Sequence, residues 1–318
     1  MKKVFVAGAT GGMGYALVTE LTSRGIEVIA FARTLEHLKE RFSSNPLVNY
    51  IAGDVLKREE LLQSVQGADF IIHAVSFPYE QWEEKHIPCL QNLLDAAKSI
   101  NGTFVMIDNI YAYGKATSPV NEDALKLPHT KKGKLRLLMA KKIESSNVPY
   151  LILHMPDLFG PYAINTALYS TLQAVVHNKN AYFLGRMDVK REFAYTLDAA
   201  KAAVELSLDK TCHCQHWNIP GCLKMTGDEL QDFLRTHYSY QKKLKSATYR
   251  MVAFLAVFSR FMREQKEMMY LAYTPVILNS EKLEKALGTV PLRDRWDSLR
   301  ETIAWIKEQV GAKQIGSP

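Results

Sequence analysis

The chain has 318 residues, of which 47% are hydrophobic and 23% charged, and its formal net charge is +7. This length and composition allow a large buried core and predict one compact, soluble protein with two lobes. Four cysteines are too few for a disulfide framework in so long a chain, which excludes a small disulfide-stabilised domain. No apolar run approaches the roughly 20 residues that span a bilayer, which excludes a transmembrane segment.

The start of the sequence bears on localisation. The first predicted strand begins at about Lys3. This leaves no room before the strand for the charged region, apolar region and cleavage site of a signal peptide. We therefore predict a cytoplasmic protein, in which Cys89, Cys212, Cys214 and Cys222 are reduced.

The first predicted strand runs directly into a glycine-rich turn, because residues 4–14 read VFVAGATGGMG. Gly8 permits a tight turn from strand to helix, Gly11 lets the backbone approach a pyrophosphate, and Gly14 lets the helix pack closely. A helical pattern follows over residues 15–23, and its N-terminus favours an anion. The pattern predicts a dinucleotide site lined by Gly8, Thr10, Gly11, Gly12, Met13 and Gly14.

The end of the second predicted strand indicates which dinucleotide binds. An NAD site usually has an acidic residue there for the ribose 2′-hydroxyl, whereas a 2′-phosphate requires a cation. This chain has Ala32 followed by Arg33, and a guanidinium binds phosphate through a planar fork. We predict NADP(H) as the cofactor. The alternative is NAD(H), with Arg33 as a solvated surface residue.

Short apolar runs alternate with helical patterns through the first half of the chain. Parallel strands separated by crossovers are predicted at residues 4–7, 28–32, 48–52, 70–73, 104–107 and 150–154. This alternation is typical of an α/β protein with a Rossmann-type, doubly wound parallel sheet. We predict a dinucleotide-binding domain over 1–160 and a smaller, mostly helical substrate lobe over 161–318, with part of 186–220 returning to the first domain. Helices are predicted at 163–177, 226–237, 249–265 and 294–310.

The glycine spacing resembles that of the short-chain dehydrogenase/reductase superfamily, and further motifs resemble its extended branch, the NAD-dependent epimerase/dehydratase family. Tyr113-Gly114, residues 157–161 and residues 190–200 are similar to landmarks of that family. The resemblance implies that Asp54, followed by Val55, contacts adenine. It also implies that the turn His73-Ala74-Val75 lines the cofactor.

The reaction centre of that family is replaced in this chain. The resemblance implies a Ser/Thr after the fifth strand and a Tyr-x-x-x-Lys on the next helix, but Asn109 stands at the Ser/Thr position. Lys132 and Arg136 align with the tyrosine and the lysine, and an alternative register places Thr130 and Lys134 there. A lysine could act as a general acid if a neighbouring cation such as Arg136 and partial burial lowered its pKa.

Tyr111 and Tyr113 are further candidates for the proton donor. Both follow the fifth strand, beside the expected nicotinamide position, so either could supply a phenolic proton. The alternative is that each packs as an aromatic against the cofactor or the lobe interface. The literal Tyr-x-x-x-Lys matches at Tyr111 and Tyr238 are interpreted as coincidental.

Three other patterns have simpler interpretations. The segment Cys212-His213-Cys214-Gln215-His216 lacks the dispersed ligand pairs of a structural zinc site, so no metal is predicted. The basic residues over 126–142 are interpreted as a solvated helix face and anion-site residues, which does not favour nucleic-acid binding. Residues 251–258 could touch a membrane surface, but lobe core, a substrate wall or a subunit contact is the favoured interpretation.

These observations predict an NADP(H)-binding oxidoreductase, or an enzyme resembling nucleotide-sugar epimerases, with an atypical active site and a small-molecule substrate that the sequence does not identify. The alternative is a catalytically inactive NADP(H)-binding regulator or scaffold. A homodimer is a further expectation.

Overall fold

The computed structural model describes residues 2–315; Met1 and residues 316–318, at the outer ends of the two predicted domains, lie outside the described residues. Seven parallel strands form the central sheet in the order β10-β6-β5-β4-β1-β2-β3. In chain order they are β1 (Lys3–Ala7), β2 (Glu27–Ala32), β3 (Val48–Ala52), β4 (Phe70–His73), β5 (Thr103–Asn109), β6 (Tyr150–Met155) and β10 (Gln215–Asn218). The predicted α/β class and doubly wound parallel sheet are confirmed.

Helices cover both faces of this sheet, which is why its strands are apolar along their length. They are α1 (Gly12–Ser23), α2 (Leu35–Phe42), α3 (Arg58–Ser64), α4 (Trp82–Ser99), α5 (Lys131–Glu144), α7 (Thr196–Leu208) and α11 (Glu281–Leu287). In β1, Val4 and Val6 pack in the core on the α1 and α7 side, whereas Phe5 and Ala7 pack on the α3, α4 and α5 side. The strand order reverses between β1 and β4, where such sheets bind ligands beyond the carboxyl ends of the strands.

In addition to the two cores on the faces of the central sheet, a third hydrophobic core lies outside that sheet. Its smaller sheets are β11-β9-β7 and β12-β8, formed by β7 (Asp157–Phe159), β8 (Tyr182–Leu184), β9 (Arg191–Tyr195), β11 (Leu223–Met225) and β12 (Lys245–Ala247). The accompanying helices are α6 (Ala167–Val176), α8 (Gly227–Tyr238) and α12 (Arg295–Ile315). Two further helices, α9 (Tyr249–Leu255) and α10 (Arg260–Met268), lie outside this core, and Met268 packs in the core on the α3, α4 and α5 side of the central sheet. After β9 the chain returns to the central sheet, where α7 packs on α1 and β10 pairs with β6.

The segment predicted as one helix over 249–265 is two helices, α9 and α10, and the single-helix prediction was wrong. Residues 256–259 form the connection. The hydroxyl of Ser259 accepts a hydrogen bond from the backbone N–H of Met262 at 3.3 Å, which caps a new helix. The periodicity of apolar residues continues across this cap, so the pattern alone did not reveal the break.

A buried carboxylate, Glu192 in β9, joins three distant parts of the chain. Its Oε1 accepts the backbone N–H of Gly221 at 3.0 Å, and its Oε2 accepts that of Leu278 at 2.8 Å. Lys224 Nζ lies 3.5 Å from Oε1. Burial raises the pKa of Glu192 above its ordinary value, while the two N–H groups and Lys224 oppose that shift.

Candidate functional site

The turn between β1 and α1 is held by close backbone contacts at two of its glycines. Gly8 has a φ of +84°, and a Cβ there would lie 2.7 Å from the carbonyl oxygen of Ala74. A Cβ on Gly14 would overlap the carbonyl oxygen of Gly8. A Cβ on Gly11, by contrast, would meet only Gly8 O at 3.5 Å, and Gly11 is exposed. The turn therefore leaves an open surface at the N-terminus of α1, where an anionic group fits.

The other residues predicted to hold the cofactor lie in this turn and at the end of β3. Thr10 is half-buried, while Gly12 and Met13 are buried in the first turn of α1. Asp54 and Val55 follow β3, and Asp54 Oδ1 accepts the backbone N–H of Leu56 at 3.0 Å. This contact fixes the carboxylate in a tight turn.

Arg33 lies at the carboxyl end of β2 and is exposed. Among residues 2–315 it forms no ion pair, so its guanidinium is available to an anion. Arg41 in α2 is a second cation, which the sequence analysis did not identify. Its guanidinium lies 4.5 Å from the ring centroid of Tyr162, and its buried Nε has no hydrogen-bond partner in the described protein.

His73 ends β4 beside the expected nicotinamide position, and Ala74 and Val75 continue from it. The backbone N–H of Val75 donates to His73 Nδ1 at 3.3 Å, whereas the buried His73 Nε2 has no partner within residues 2–315. Burial, and after it the charge of Arg136, lower the pKa of His73 to about 3. His73 is therefore a neutral imidazole at neutral pH.

Asn109, Tyr111 and Tyr113 lie together after β5, and each is already engaged with a protein partner. Asn109 Oδ1 accepts the backbone N–H of Tyr111 at 3.0 Å. The hydroxyl of Tyr111 lies 2.6 Å from that of Tyr79, and the hydroxyl of Tyr113 donates to Asn218 Oδ1 at 2.8 Å. Burial raises the pKa of both Tyr111 and Tyr113, so both phenols keep their protons.

Lys132 is buried in the first turn of α5, with 3% of its side chain exposed. Thr130 caps this helix by accepting the backbone N–H of Gly133. The ammonium of Lys132 donates to Glu264 and, at 2.8 Å, to Glu267, both in α10. The ammonium is thus bound by two carboxylates. The general-acid hypothesis instead requires a neighbouring cation that lowers its pKa.

Arg136 lies one turn after Lys132 and is also buried. Its guanidinium lies 4.6 Å from the ring centroid of Trp82, and its Nη1 lies 3.5 Å from Asp108 Oδ1. Within the described chain, Arg136 Nε, Arg136 Nη1 and Asp108 Oδ1 are buried without a hydrogen-bond partner. His73 lies near this pair, because the charges of Arg136 and Asp108 both affect its pKa. We call Arg136, Asp108 and His73 the polar cluster. Buried polar atoms without partners fit a site whose hydrogen bonds are completed by a ligand.

A line of polar groups leads from Asp108 toward the surface. Asp108 Oδ2 lies 3.2 Å from His154 Nδ1, and His154 Nε2 lies 2.9 Å from His216 Nδ1. His216 Nε2 lies 2.7 Å from Glu144 Oε1, at the end of α5. Burial lowers the pKa of His216 to about 4. The line crosses β5, β6 and β10 and ends at a carboxylate that is 43% exposed.

A groove of about 920 Å³ lies beyond Lys132 and shares Glu264 and Glu267 with it. Residues on the β5–α5 side and residues of α9, α10 and the following turn form its walls. They are Lys115, His129, Thr130, Lys131, Tyr249, Arg263, Glu264, Lys266, Glu267, Tyr270, Tyr273 and Thr274. Four of these side chains are Lys or Arg, and the two carboxylates are bound to Lys132. None of the lining residues belongs to the glycine turn.

The segment around Cys212 is not arranged as a metal site. Cys214 is exposed with a φ of 57°, and His216 is engaged by His154 and Glu144. Over residues 2–315, no group of three or more His, Cys, Asp or Glu side chains is placed to hold a metal ion. In the same range, no helix combines the length and apolar character needed to cross a bilayer.

Sequence reasoning missed the partners of the charged residues. Glu264 and Glu267, three residues apart, are visible as neighbours on one helix face. Nothing in the local sequence links them to Lys132, which lies 132 and 135 positions away. Trp82, which packs on Arg136, belongs to no recognisable sequence motif.

A match to a known family covers the glycine turn and extends past the middle of the chain. Residues 8–177, more than half of the chain, match the family described as NAD(P)H-binding. An uncharacterised chloroplastic protein of Arabidopsis thaliana is 33% identical over 127 residues, which are 37% of this chain and 45% of that protein. The shikimate dehydrogenase (NADP(+)) of Thermococcus kodakarensis is 38% identical over 84 residues, 26% of this chain and 28% of that enzyme. The chain therefore spans less than half the length of these sequence relatives.

The fold is shared with a solved enzyme over nearly its whole length. UDP-glucuronic acid 4-epimerase from Bacillus cereus, in complex with NAD, superimposes with a TM-score of 0.80 over 96% of this chain and 99% of that one. The two sequences are 18% identical, so this likeness concerns the fold alone. With its glycine turn, its parallel sheet and the family match over residues 8–177, this chain belongs to the NAD(P)H-binding family and has the fold of the extended short-chain dehydrogenases/reductases.

Proposed function

We propose that this protein is an NADP(H)-dependent oxidoreductase, or an epimerase-like enzyme, that acts on an anionic small molecule. The observation that carries the proposal is the polar cluster of Arg136, Asp108 and His73 at the carboxyl end of the sheet, in which Arg136 Nε and Nη1, Asp108 Oδ1 and His73 Nε2 are buried without a hydrogen-bond partner in the described chain. The glycine turn supports the same assignment, because Gly11 leaves room for a pyrophosphate at the start of α1. When bound, the cofactor would supply or accept a hydride.

The preference for NADP(H) rests on the end of β2. Ala32 offers no carboxylate to the ribose 2′-hydroxyl, and the exposed Arg33 has no ion-pair partner in the described chain. The relatives differ, since the Thermococcus kodakarensis enzyme is named for NADP(+) whereas the Bacillus cereus enzyme holds NAD. Charge at the 2′-position decides between the two cofactors, and it favours NADP(H) here.

Lys132 is proposed to act as a fixed cationic hydrogen-bond donor. An ammonium group has three N–H donors, and Glu264 and Glu267 accept two of them. The third can point to a substrate oxygen and stabilise the negative charge that develops on it. This role replaces that of general acid, because the neighbours of the ammonium are carboxylates.

The proton is proposed to come from Tyr111. Its phenol is protonated and is hydrogen-bonded to Tyr79, whose ring centroid lies 4.9 Å from Lys132 Nζ. Arg136 is proposed to bind the cofactor ribose or an anionic group of the substrate, which would satisfy its Nε and Nη1. Asn109 keeps Tyr111 in place through its contact with the backbone.

The groove beyond Lys132 is the proposed substrate site. Lys115, Lys131, Arg263 and Lys266 line it; Lys131 Nζ lies 3.5 Å from Glu83 Oε1, and the two carboxylates of the groove share the ammonium of Lys132. The charges of Lys115, Arg263 and Lys266, which form no ion pair in the described part of the chain, favour a carboxylate- or phosphate-bearing substrate. Cytoplasmic localisation and a homodimer remain predictions alongside this proposal.

Lys132→Met tests the proposed function. Wild-type protein and the variant would be assayed for NADPH oxidation against a panel of anionic carbonyl compounds, and NADPH affinity would be measured by calorimetry. We expect turnover to fall at least about 100-fold with little change in NADPH affinity, because the cofactor is held mainly by the glycine turn. Lys141→Met, which removes an exposed lysine from the same helix outside the groove, is the matched control.

The alternative function is that of an NADP(H)-binding regulator without catalysis. The engagement of Tyr111, Tyr113 and Lys132 by protein partners favours it. If wild-type protein binds NADPH but oxidises it with no compound of the panel, and Tyr111→Phe and Lys132→Met leave NADPH binding unchanged, the regulator is preferred.

A further inference from the structure

The segment from α8 to α10 is unusual in its charge. Between Asp232 and Glu264 the sequence contains no aspartate or glutamate. The same stretch contains seven basic residues, namely Arg235, Lys242, Lys243, Lys245, Arg250, Arg260 and Arg263. All seven are exposed, and within residues 2–315 none of them forms an ion pair. This stretch therefore presents uncompensated positive charge to the solvent.

Large apolar side chains are exposed within the same stretch, on α9, the connection and the start of α10. Phe254 is 66% exposed, Val257 72% and Phe258 77%. The rings of Phe254 and Phe258 contact each other, with centroids 5.6 Å apart. Met251 and Phe261 are also exposed. We call these five residues the apolar tip.

The apolar tip is held in place by buried residues on the opposite side of the same helices. Val252 and Ala256 are buried beneath α9 and the connection, and Met268 at the end of α10 is part of the core that covers the sheet. Arg260 donates to the carbonyl oxygen of Glu80 at 3.0 Å, which ties the start of α10 to the segment before α4. These contacts fix α9 and α10 on the protein, so the residues of the apolar tip are held in place on its surface.

We propose that the apolar tip and the basic residues around it dock onto the surface of an anionic lipid bilayer. Aromatic and aliphatic side chains enter the interface between headgroups and acyl chains, while Lys and Arg side chains beside them are attracted to anionic headgroups. Large exposed apolar patches with a polar rim mark such contact sites. The helices lie on the bilayer and do not cross it, in agreement with their lengths.

The charge distribution favours a lipid surface over a second copy of the chain. In a two-fold symmetric dimer the same surface lies on both subunits, so Arg250, Arg260 and Arg263, on the same two helices as the tip, would lie close to the same cations of the other copy. Such like charges repel, whereas an anionic bilayer attracts all of them. Tyr249 and Arg263 also line the groove, so docking places the mouth of the groove next to the headgroups.

Vesicle sedimentation tests this proposal with the full chain. The probes are vesicles of equal parts phosphatidylglycerol and phosphatidylcholine, compared with vesicles of phosphatidylcholine alone. We expect the wild-type protein to sediment with the anionic vesicles and to be released by high salt. Phe254→Ser/Phe258→Ser should weaken binding at least about tenfold, and Lys243→Glu/Arg250→Glu by a similar factor.

The matched control is Leu138→Ser/Leu292→Ser, which removes two exposed leucines from other segments and should bind as the wild type does. Circular dichroism checks that each variant is folded; if the phenylalanine variant is not, the charge variant decides. Absence of wild-type binding to anionic vesicles overturns the proposal, and so does unchanged binding by the folded variants. A wild-type dimer that the phenylalanine variant dissociates, without vesicle binding, would instead assign the tip to a second copy.

Discussion

The glycine turn after β1 and the charged cluster around Lys132 are two parts of the proposed site, but different constraints fix them. The turn is set by contacts between residues close in sequence, such as that of Gly14 with the carbonyl oxygen of Gly8. The cluster is set by Glu264 and Glu267, more than 130 positions from Lys132. Backbone contacts alone therefore set the shape of the turn, whereas the cluster depends on correct packing of α10 against α5.

Two glycine substitutions separate binding from folding within the turn. Gly11→Val places a branched side chain on the open surface where a pyrophosphate would approach, so we expect NADPH affinity to fall at least about 100-fold, or about 2.7 kcal/mol, with an unchanged Tm. Gly14→Val drives a side chain into Gly8 O and should destabilise the fold by about 3 kcal/mol. Calorimetric titration and thermal unfolding measure the two effects. Tight NADPH binding by folded Gly11→Val would contradict the assignment of the turn.

Lys132→Met tests how far the contacts between Lys132 and α10 stabilise the fold. The change leaves two partly buried carboxylates without their cation, so we expect the free energy of unfolding to fall by about 2 kcal/mol. Adding Glu264→Gln and Glu267→Gln to Lys132→Met should restore part of this loss, because the repelling charges are then removed. Urea unfolding gives the values, with Lys131→Met as the control. Equal stability of the Lys132 and Lys131 variants would show that α10 does not depend on this ion pair.

Acid should lower the free energy of unfolding through two histidines, His73 and His216. Burial lowers the pKa of His73 to about 3 and that of His216 to about 4, whereas an unfolded histidine titrates near pH ~6.5. As the pH falls, the unfolded chain therefore takes up protons before the folded chain does. The contribution of the two histidines to stability is complete above about pH 6.5 and is lost as the pH falls toward 4 for His216 and 3 for His73. We expect a loss on the order of 1 kcal/mol for each histidine by about pH 5.5.

Thermal unfolding at a series of pH values checks this expectation. His216→Gln should make the fall in Tm shallower, since one of the two groups no longer titrates. A Tm that does not change between about pH 7 and pH 5 would indicate that His73 and His216 titrate alike in the folded and unfolded chain.

The smallest expected effect concerns the cofactor preference at the end of β2. Arg33→Ala should weaken NADPH binding about tenfold, or about 1.4 kcal/mol, and leave NADH binding unchanged, because only NADPH carries the 2′-phosphate. Calorimetric titration of both cofactors distinguishes these outcomes. Arg235→Ala, which removes an exposed arginine on α8, serves as the control. Equal loss for both cofactors would mean that Arg33 does not recognise the 2′-phosphate.

The central sheet could be predicted because its signals are local. Six strands were recognised from apolar runs, and the glycine spacing of residues 8–14 predicted the turn between β1 and α1. The break between α9 and α10 was missed because apolar periodicity continues through residues 256–259. A single hydroxyl, that of Ser259, caps the new helix there.

The candidate site was predictable only in part. Alignment of motifs directed attention to Lys132 and Arg136, but not to what surrounds them. The hypothesis that Arg136 lowers the pKa of Lys132 considered neighbours on the same helix. The carboxylates that contact the ammonium come from α10, and Trp82, which packs on Arg136, begins α4. Such contacts arise from tertiary packing, which no local pattern encodes.

The buried carboxylate of Glu192 has a consequence for local unfolding. The backbone N–H groups of Gly221 and Leu278 both donate to it, although these residues are far apart along the chain. Detaching either segment would leave a buried charge with fewer hydrogen bonds, which is costly. The two amides should therefore exchange their hydrogens with solvent in one cooperative opening, together with β9, rather than by separate fraying. The segment leading to α11 is in this way part of the same cooperative unit as the smaller sheet.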